Sequence, residues 1–191
     1  MPSTRRPLPV KLFAGLLGGD PGLLRRARQL LVRRFGPLDL ESEVWPFDQT
    51  DYYELEMGPD LKRCFLSFET PIDPGALAGI KCETCALERQ LAEDCALPSI
   101  NRPVNIDPGY VDLGKLVLAT TKDASHRIYL GHRVYAEVTL HYQDGAWQTS
   151  PWTYPDYGRR DTQGFFASVR ELFLQQRRET MNLRDLDEAD A

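Results

Sequence analysis

Between Lys115 and Ser150 the chain carries four short stretches of strand character with no helical period between them: "KLVLATT", "HRIYLG", "RVYAEVTLHYQ" and "AWQTS". The gaps are far shorter than the dozen or more residues of a parallel crossover, so these strands must pair as antiparallel hairpins. Asp144-Gly145 supplies one hairpin turn. In the longest stretch Val134, Ala136, Val138 and Leu140 share one face, and Tyr135, Glu137, Thr139 and His141 the other.

The first half alternates strands with helices. "VKLFAGLL" reads as a buried strand, ended by Gly18-Gly19. Asp20-Pro21 then supplies an N-cap and a proline at the first helical position. Leu23, Leu24, Ala27, Leu30, Leu31 and Phe35 keep helical spacing up to the Gly36-Pro37 stop. Arg25, Arg26, Arg28 and Arg33 fall off that stripe as a solvated face. "DLESEVWPF" and "LKRCFLSFE" read as a second and third strand. Asp73-Pro74 opens a second helix with Leu77, Ile80, Thr84, Leu87 and Leu91 on one stripe, and with Lys81 and Glu88 at the edge of the core. A last helix starts near Thr162 and turns Phe165, Phe166, Val169, Leu172 and Phe173 inward. This order implies a single α+β domain over residues 1–178, a mainly antiparallel or mixed twisted sheet with about three helices packed on one face. Residues 179–191 hold five acids against Arg184, and are expected to form a frayed or disordered tail.

That tail accounts for −4 of the formal −5 charge, which leaves the other 178 residues near neutral at −1. A near-neutral body gives no electrostatic basis for a dedicated nucleic-acid binder. No apolar run approaches the ~20 residues that span a bilayer. The start "STRRPLPVKLFAGLLGG" mimics a leader, but Pro9 and Lys11 interrupt its apolar part, so the protein is expected in the cytoplasm. Cys82 and Cys85 have metal-like spacing, yet Cys95 is ten residues on and the histidines lie far downstream. The cysteines are therefore read as inert thiols and not as a metal site.

"GYVDLGKL" (109–116) is a near miss for a phosphate-binding P-loop. Leu116 replaces the hydroxyl that would ligate magnesium, and the segment after Lys115 is strand-forming where a helix is required. Asp-Pro-Gly occurs at 20–22, 73–75 and 107–109. By analogy with the first two, Asp107 is expected to cap a turn over Tyr110–Leu113 that ends at Gly114.

The remaining polar segments carry the candidate chemistry. Lys122, His126 and Arg127 form a possible anion clamp across a turn. Asp107, Glu137, Asp156 and His126 are the candidate acid–base or metal-ligand groups. Lys81, Asn105, Tyr110, Lys122, Arg127, Tyr154 and Tyr157 are the candidate ligand contacts. Such a set suits a phosphorylated or nucleotide-like small molecule, with a divalent cation such as magnesium as a conceivable cofactor. The competing reading is a non-catalytic interaction or scaffold protein using the aromatic loops "DQTDYY" and "TYPDYG". Neither reading fixes the oligomeric state.

"PVKLFAGLL", "PFDQTDYYELEMG", "NIDPGY", "LATTKDASHRIYLG", "YAEVTL" and "WTYPDYG" together resemble a bacterial family known as domain of unknown function 4416. The resemblance spans about residues 9–175. It implies no established activity, although some relatives carry a label of GTP-binding protein.

Overall fold

The computed structural model describes residues 7–49, 53–95 and 100–189. Residues 3–6 of the leader-like start, 50–52 of the "DQTDYY" loop and the last two residues of the acidic tail lie outside them. The elements run β1 (Lys11–Gly18), α1 (Pro21–Phe35), β2 (Leu38–Glu41), β3 (Trp45–Pro46), the single turn α2 (Glu54–Met57), β4 (Lys62–Phe68) and α3 (Leu77–Glu93). They continue with β5 (Val104–Asp112), β6 (Lys115–Thr120), β7 (Ile128–Gly131), β8 (Val134–Gln143), β9 (Ala146–Thr149) and α4 (Arg160–Ala189). The acidic segment from Glu179 to Ala189 thus continues the last helix.

All nine strands join one sheet of antiparallel pairs, ordered β2-β4-β1-β5-β6-β8-β7, with β3 on β4 and β9 on β8. The first half is a β-α-β-β-α-β unit with β1 between β4 and β5, the ferredoxin-like arrangement. The hairpins of the second half extend it past β5. Fold class and hairpin pairing match the sequence pattern. The covered faces do not: all eight residues of β1 are buried, which requires cover on both sides of the sheet. Helices α1 and α3 pack Leu24, Ala27, Leu31, Ile80 and Leu91 on Leu12, Ala14 and Leu16. On the opposite face α4 packs Phe166 and Val169 on Phe13, Phe65 and Leu118. The segment read as one strand at 39–47 is two, β2 and β3, both on β4. Ser42 lies between them, its hydroxyl accepting the Phe65 N–H at 2.8 Å.

The first two Asp-Pro-Gly motifs act as their chemistry predicts. Asp20 Oδ1 accepts the Leu23 N–H at 2.8 Å, and Asp73 Oδ1 the Gly75 N–H at 2.7 Å. The third does not, because Asp107-Pro108-Gly109 runs straight through β5 and caps nothing. Gly109 is needed for close approach: a Cβ there would lie 2.4 Å from the Val117 carbonyl oxygen and 2.6 Å from Phe13 Cζ. Leu113 and Gly114 form the two-residue turn between β5 and β6.

Strands β5 and β6 pair only from Gly109–Leu118 to Asp112–Lys115. Beyond Gly109 the first half of β5 keeps β1 on one side and parts from β6 on the other. Side chains of α3 take over its open edge. Ile106 donates its N–H to Glu88 Oε1 at 2.7 Å, and its carbonyl accepts from Lys81 Nζ at 2.9 Å. Pro108 shares the outward parity of Ile106, so its missing N–H removes no bond to β1. Lys81 and Glu88, a helical i, i+7 pair, are therefore buried substitutes for a strand.

Candidate ligand-binding cleft

The parting of β5 from β6 opens a cleft enclosing about 630 Å³, part of it open to solvent. One wall is Asn105 and Asp107 of β5; the other runs from Leu118 of β6 to Lys122, with Glu137 of β8 beside it. Arg63 of β4, Lys81 of α3 and Arg102 complete a ring of cations, and Tyr53, Tyr154 and Tyr157 close the space.

Register explains the floor. Gly15 of β1 pairs with Phe65 on one side and Asp107 on the other. Lacking a side chain, it leaves room above the sheet, and Tyr157 fills it: a Cβ on Gly15 would lie 3.3 Å from the Tyr157 hydroxyl oxygen. That hydroxyl is buried and has no hydrogen-bond partner among the described residues. Burial pushes the Tyr157 pKa well above the ordinary phenol value, so the group is a neutral O–H donor.

Arg63 is buried between two carboxylates, with Nε 2.9 Å from Asp156 Oδ2 and Nη1 3.6 Å from Asp107 Oδ2. Neither contact has hydrogen-bond geometry, so Arg63 holds both acids by charge and keeps N–H capacity to spare. Burial works against its charge, but Asp156 foremost, then Tyr157 and Asp107, raise its pKa above the ordinary value. Asp107 is bracketed by Lys81 Nζ at 3.4 Å and Asn105 Nδ2 at 2.6 Å. Its burial, which would raise the pKa, is outweighed by Lys81 first and Arg63 next, and the pKa is lowered. Asn105 is bound in turn by Arg102, which also contacts Glu88 Oε2 at 3.1 Å. On the far wall Glu137 Oε2 accepts from Arg127 Nε at 2.8 Å and lies 3.2 Å from His126 Nε2; its Oε1 accepts from Thr139 Oγ1 at 3.1 Å.

A pH dependence follows. A carboxylate whose folded pKa is lowered stabilises the fold above its unfolded pKa and loses that contribution as pH falls through the folded one. Asp107 therefore contributes fully above pH ~4 and progressively less below it. Asp107→Asn is expected to show a smaller loss of stability than the parent between neutral and pH ~3, measured by urea unfolding at both pH values.

Of the residues marked from the sequence, Asp107, Glu137, Lys81, Asn105, Lys122, Tyr154 and Tyr157 line this one cleft. Three others stand behind its walls. Asp156 is buried against Arg63. Arg127 joins Glu137 to the Tyr154 hydroxyl, which it reaches at 2.8 Å. His126 stacks on Trp152 with ring centres 5.0 Å apart. Tyr110 packs near Leu77 and Val117 on the other side of the sheet. The sequence reading missed Arg63, Arg102, Tyr53 and the Thr120-Thr121 pair. Arg63 did leave a signal, since it shares strand parity with Phe65 and Ser67 and so had to point inward.

Among the described residues no group of three or more His, Cys, Asp or Glu side chains is arranged to hold a metal ion. Cys82, Cys85 and Cys95 are free thiols, as is Cys64, whose pKa burial pushes up to about 11. No helix among the described residues is long and apolar enough to cross a membrane. No curated protein and no solved structure matches the chain. A family model described as a domain of unknown function (DUF4416) matches residues 8–173, and the chain belongs to that family.

Proposed function

We propose that the cleft binds a small phosphorylated molecule, without a P-loop. One observation carries this reading: Arg63, Lys81, Arg102 and Lys122 line a single concave site, at whose inner end Arg63 Nη1 and the Tyr157 hydroxyl are left without a hydrogen-bond partner among the described residues. Cationic side chains gathered in a partly desolvated cavity favour an oxyanion through charge-assisted hydrogen bonds. The P-loop is not needed for this, since Gly109 lies in a strand and Lys115 opens the next one. The ligand is a free metabolite in the cytoplasm, and the near-neutral body gives long nucleic acids nothing to follow. The same reading leaves turnover open to any group the ligand itself brings beside Asp107.

The interaction-protein alternative has less support, because Tyr53, Tyr154 and Tyr157 turn into the cleft and do not form an outward patch. The test is a thermal-shift and calorimetric screen with inorganic phosphate, sugar phosphates and nucleotides. At least one of these compounds is expected to raise the melting temperature, because a ligand that prefers the native state stabilises it. Lys122→Met, at the exposed rim, should weaken that binding roughly tenfold. If no phosphate compound shifts the parent protein, the cleft is not a phosphate site and the interaction reading takes its place.

A further inference from the structure

Resting on that reading, we infer that the cleft selects phosphomonoesters bearing a hydroxyl close to the phosphate, such as sugar or polyol phosphates, and that Asp107 is the selecting residue. The argument begins with unused hydrogen-bonding capacity at the inner end. The Tyr157 hydroxyl and Arg63 Nη1 are buried donors without hydrogen-bond partners among the described residues. Lys81 Nζ has three N–H bonds, of which Ile106 O and Asp107 take two. These donors surround one point. Arg63 and Lys81 flank the Asp107 carboxylate at 3.6 and 3.4 Å, and Tyr157 lies over Gly15, the strand partner of Asp107. Donors left open in a buried site call for an acceptor-rich group, and a phosphate oxygen satisfies them.

Asp107 complicates that simple picture. Its side chain keeps 29 % exposure and faces the cleft, so it is in reach of whatever enters. A bare anion would meet a carboxylate among its donors and be repelled. Two chemistries resolve the conflict: a metal ion bridging the two anions, or a ligand that carries an O–H donor beside its anionic group. Among the described residues no group of His, Cys, Asp or Glu side chains is arranged to hold a metal ion beside Asp107. The hydroxyl is the simpler solution. The walls agree with it, because Thr120, Thr121 and Asn105 are polar and only Leu118 and Ala119 are aliphatic.

The experiment compares glycerol 3-phosphate, propyl phosphate and inorganic phosphate by calorimetry, in EDTA and again with magnesium. Glycerol 3-phosphate and propyl phosphate share chain length and charge but differ in their hydroxyls. The parent protein should bind the glycerol ester about tenfold tighter or more in EDTA, the worth of a hydrogen bond to a charged group. Asp107→Asn should weaken the glycerol ester while strengthening propyl phosphate and inorganic phosphate, since repulsion is relieved. Equal binding of both esters by the parent protein overturns the inference, and does so without any variant. So does a strict magnesium requirement, or an Asp107→Asn effect equal on all three. If none of the three binds, the inference falls as well, and the phosphate reading falls with it only if the sugar phosphates and nucleotides of the wider screen also fail to bind.

Discussion

Replacing Arg63 with methionine is expected to cost about 3–5 kcal/mol of folding stability, the usual loss when one partner of a buried ion pair is removed. The pair is well buried, with Arg63 and Asp156 side chains 7 % and 5 % exposed. Methionine would fill much of the arginine volume, so the loss reflects charge and not a cavity. It leaves Asp156 without its counter-ion inside the fold and removes one of the two cations that flank Asp107. For a chain of this size, at roughly 2–4 °C per kcal/mol, the melting temperature should fall by about 6–20 °C. A double variant, Arg63→Met with Asp156→Leu, should recover much of the loss, because two apolar side chains leave no orphaned charge. Thermal and urea unfolding of the four proteins of this cycle give the answer. A single-variant loss below about 1 kcal/mol would mean that the pair behaves like a hydrated surface bridge.

Gly109→Ala is the second large effect. The added methyl would lie 2.4 Å from the Val117 carbonyl oxygen and 2.6 Å from Phe13 Cζ. The first obstacle is backbone in the β5–β6 ladder, and the second is a ring packed edge-on against Phe166, with centres 4.8 Å apart. Neither can give way without disturbing the layer under α4. Overpacking of this kind costs about 1–3 kcal/mol, and the two-sided obstruction places Gly109→Ala at the upper end or beyond. Gly79→Ala on α3 is the matching control, since nothing lies within 4 Å of its added Cβ. In the first turn of α3 it should be neutral or gain a few tenths of a kcal/mol, up to the roughly 1 kcal/mol of a helix interior. Equal outcomes at the two sites, measured by urea unfolding, would contradict the packing argument.

Local chemistry made much of the fold legible. Asp20 and Asp73 announced helix starts because capping depends on neighbours within three residues. The hairpins of the second half were legible because short gaps leave no other pairing. Asp107 misled for the same local reason: its Pro-Gly neighbours favour a turn, but β1, about ninety residues earlier in the chain, holds the segment extended. Tertiary pairing overrode the local signal. Seven of the candidate residues do share one cleft, yet nothing in their spacing shows that they meet across a break in the sheet. The same limit hid Arg102, whose partners Glu88 and Asn105 come from two different segments. Lys81 and Glu88 were placed at the edge of the core; their work in closing β5 is a long-range fact that helical periodicity cannot express.

That closure of β5 by helix side chains bears on how the cleft can diversify. Lys81 both completes the sheet edge and faces the ligand space, and Arg63 both holds the Asp156 charge and lines the same wall. Residues with two such duties have few acceptable replacements. Thr120 and Thr121 lie nearer the mouth of the cleft and are less buried than these two. On the proposed reading, substitutions at the mouth of the cleft are expected to change ligand preference at little cost in stability, whereas substitutions at its inner end are expected to cost both.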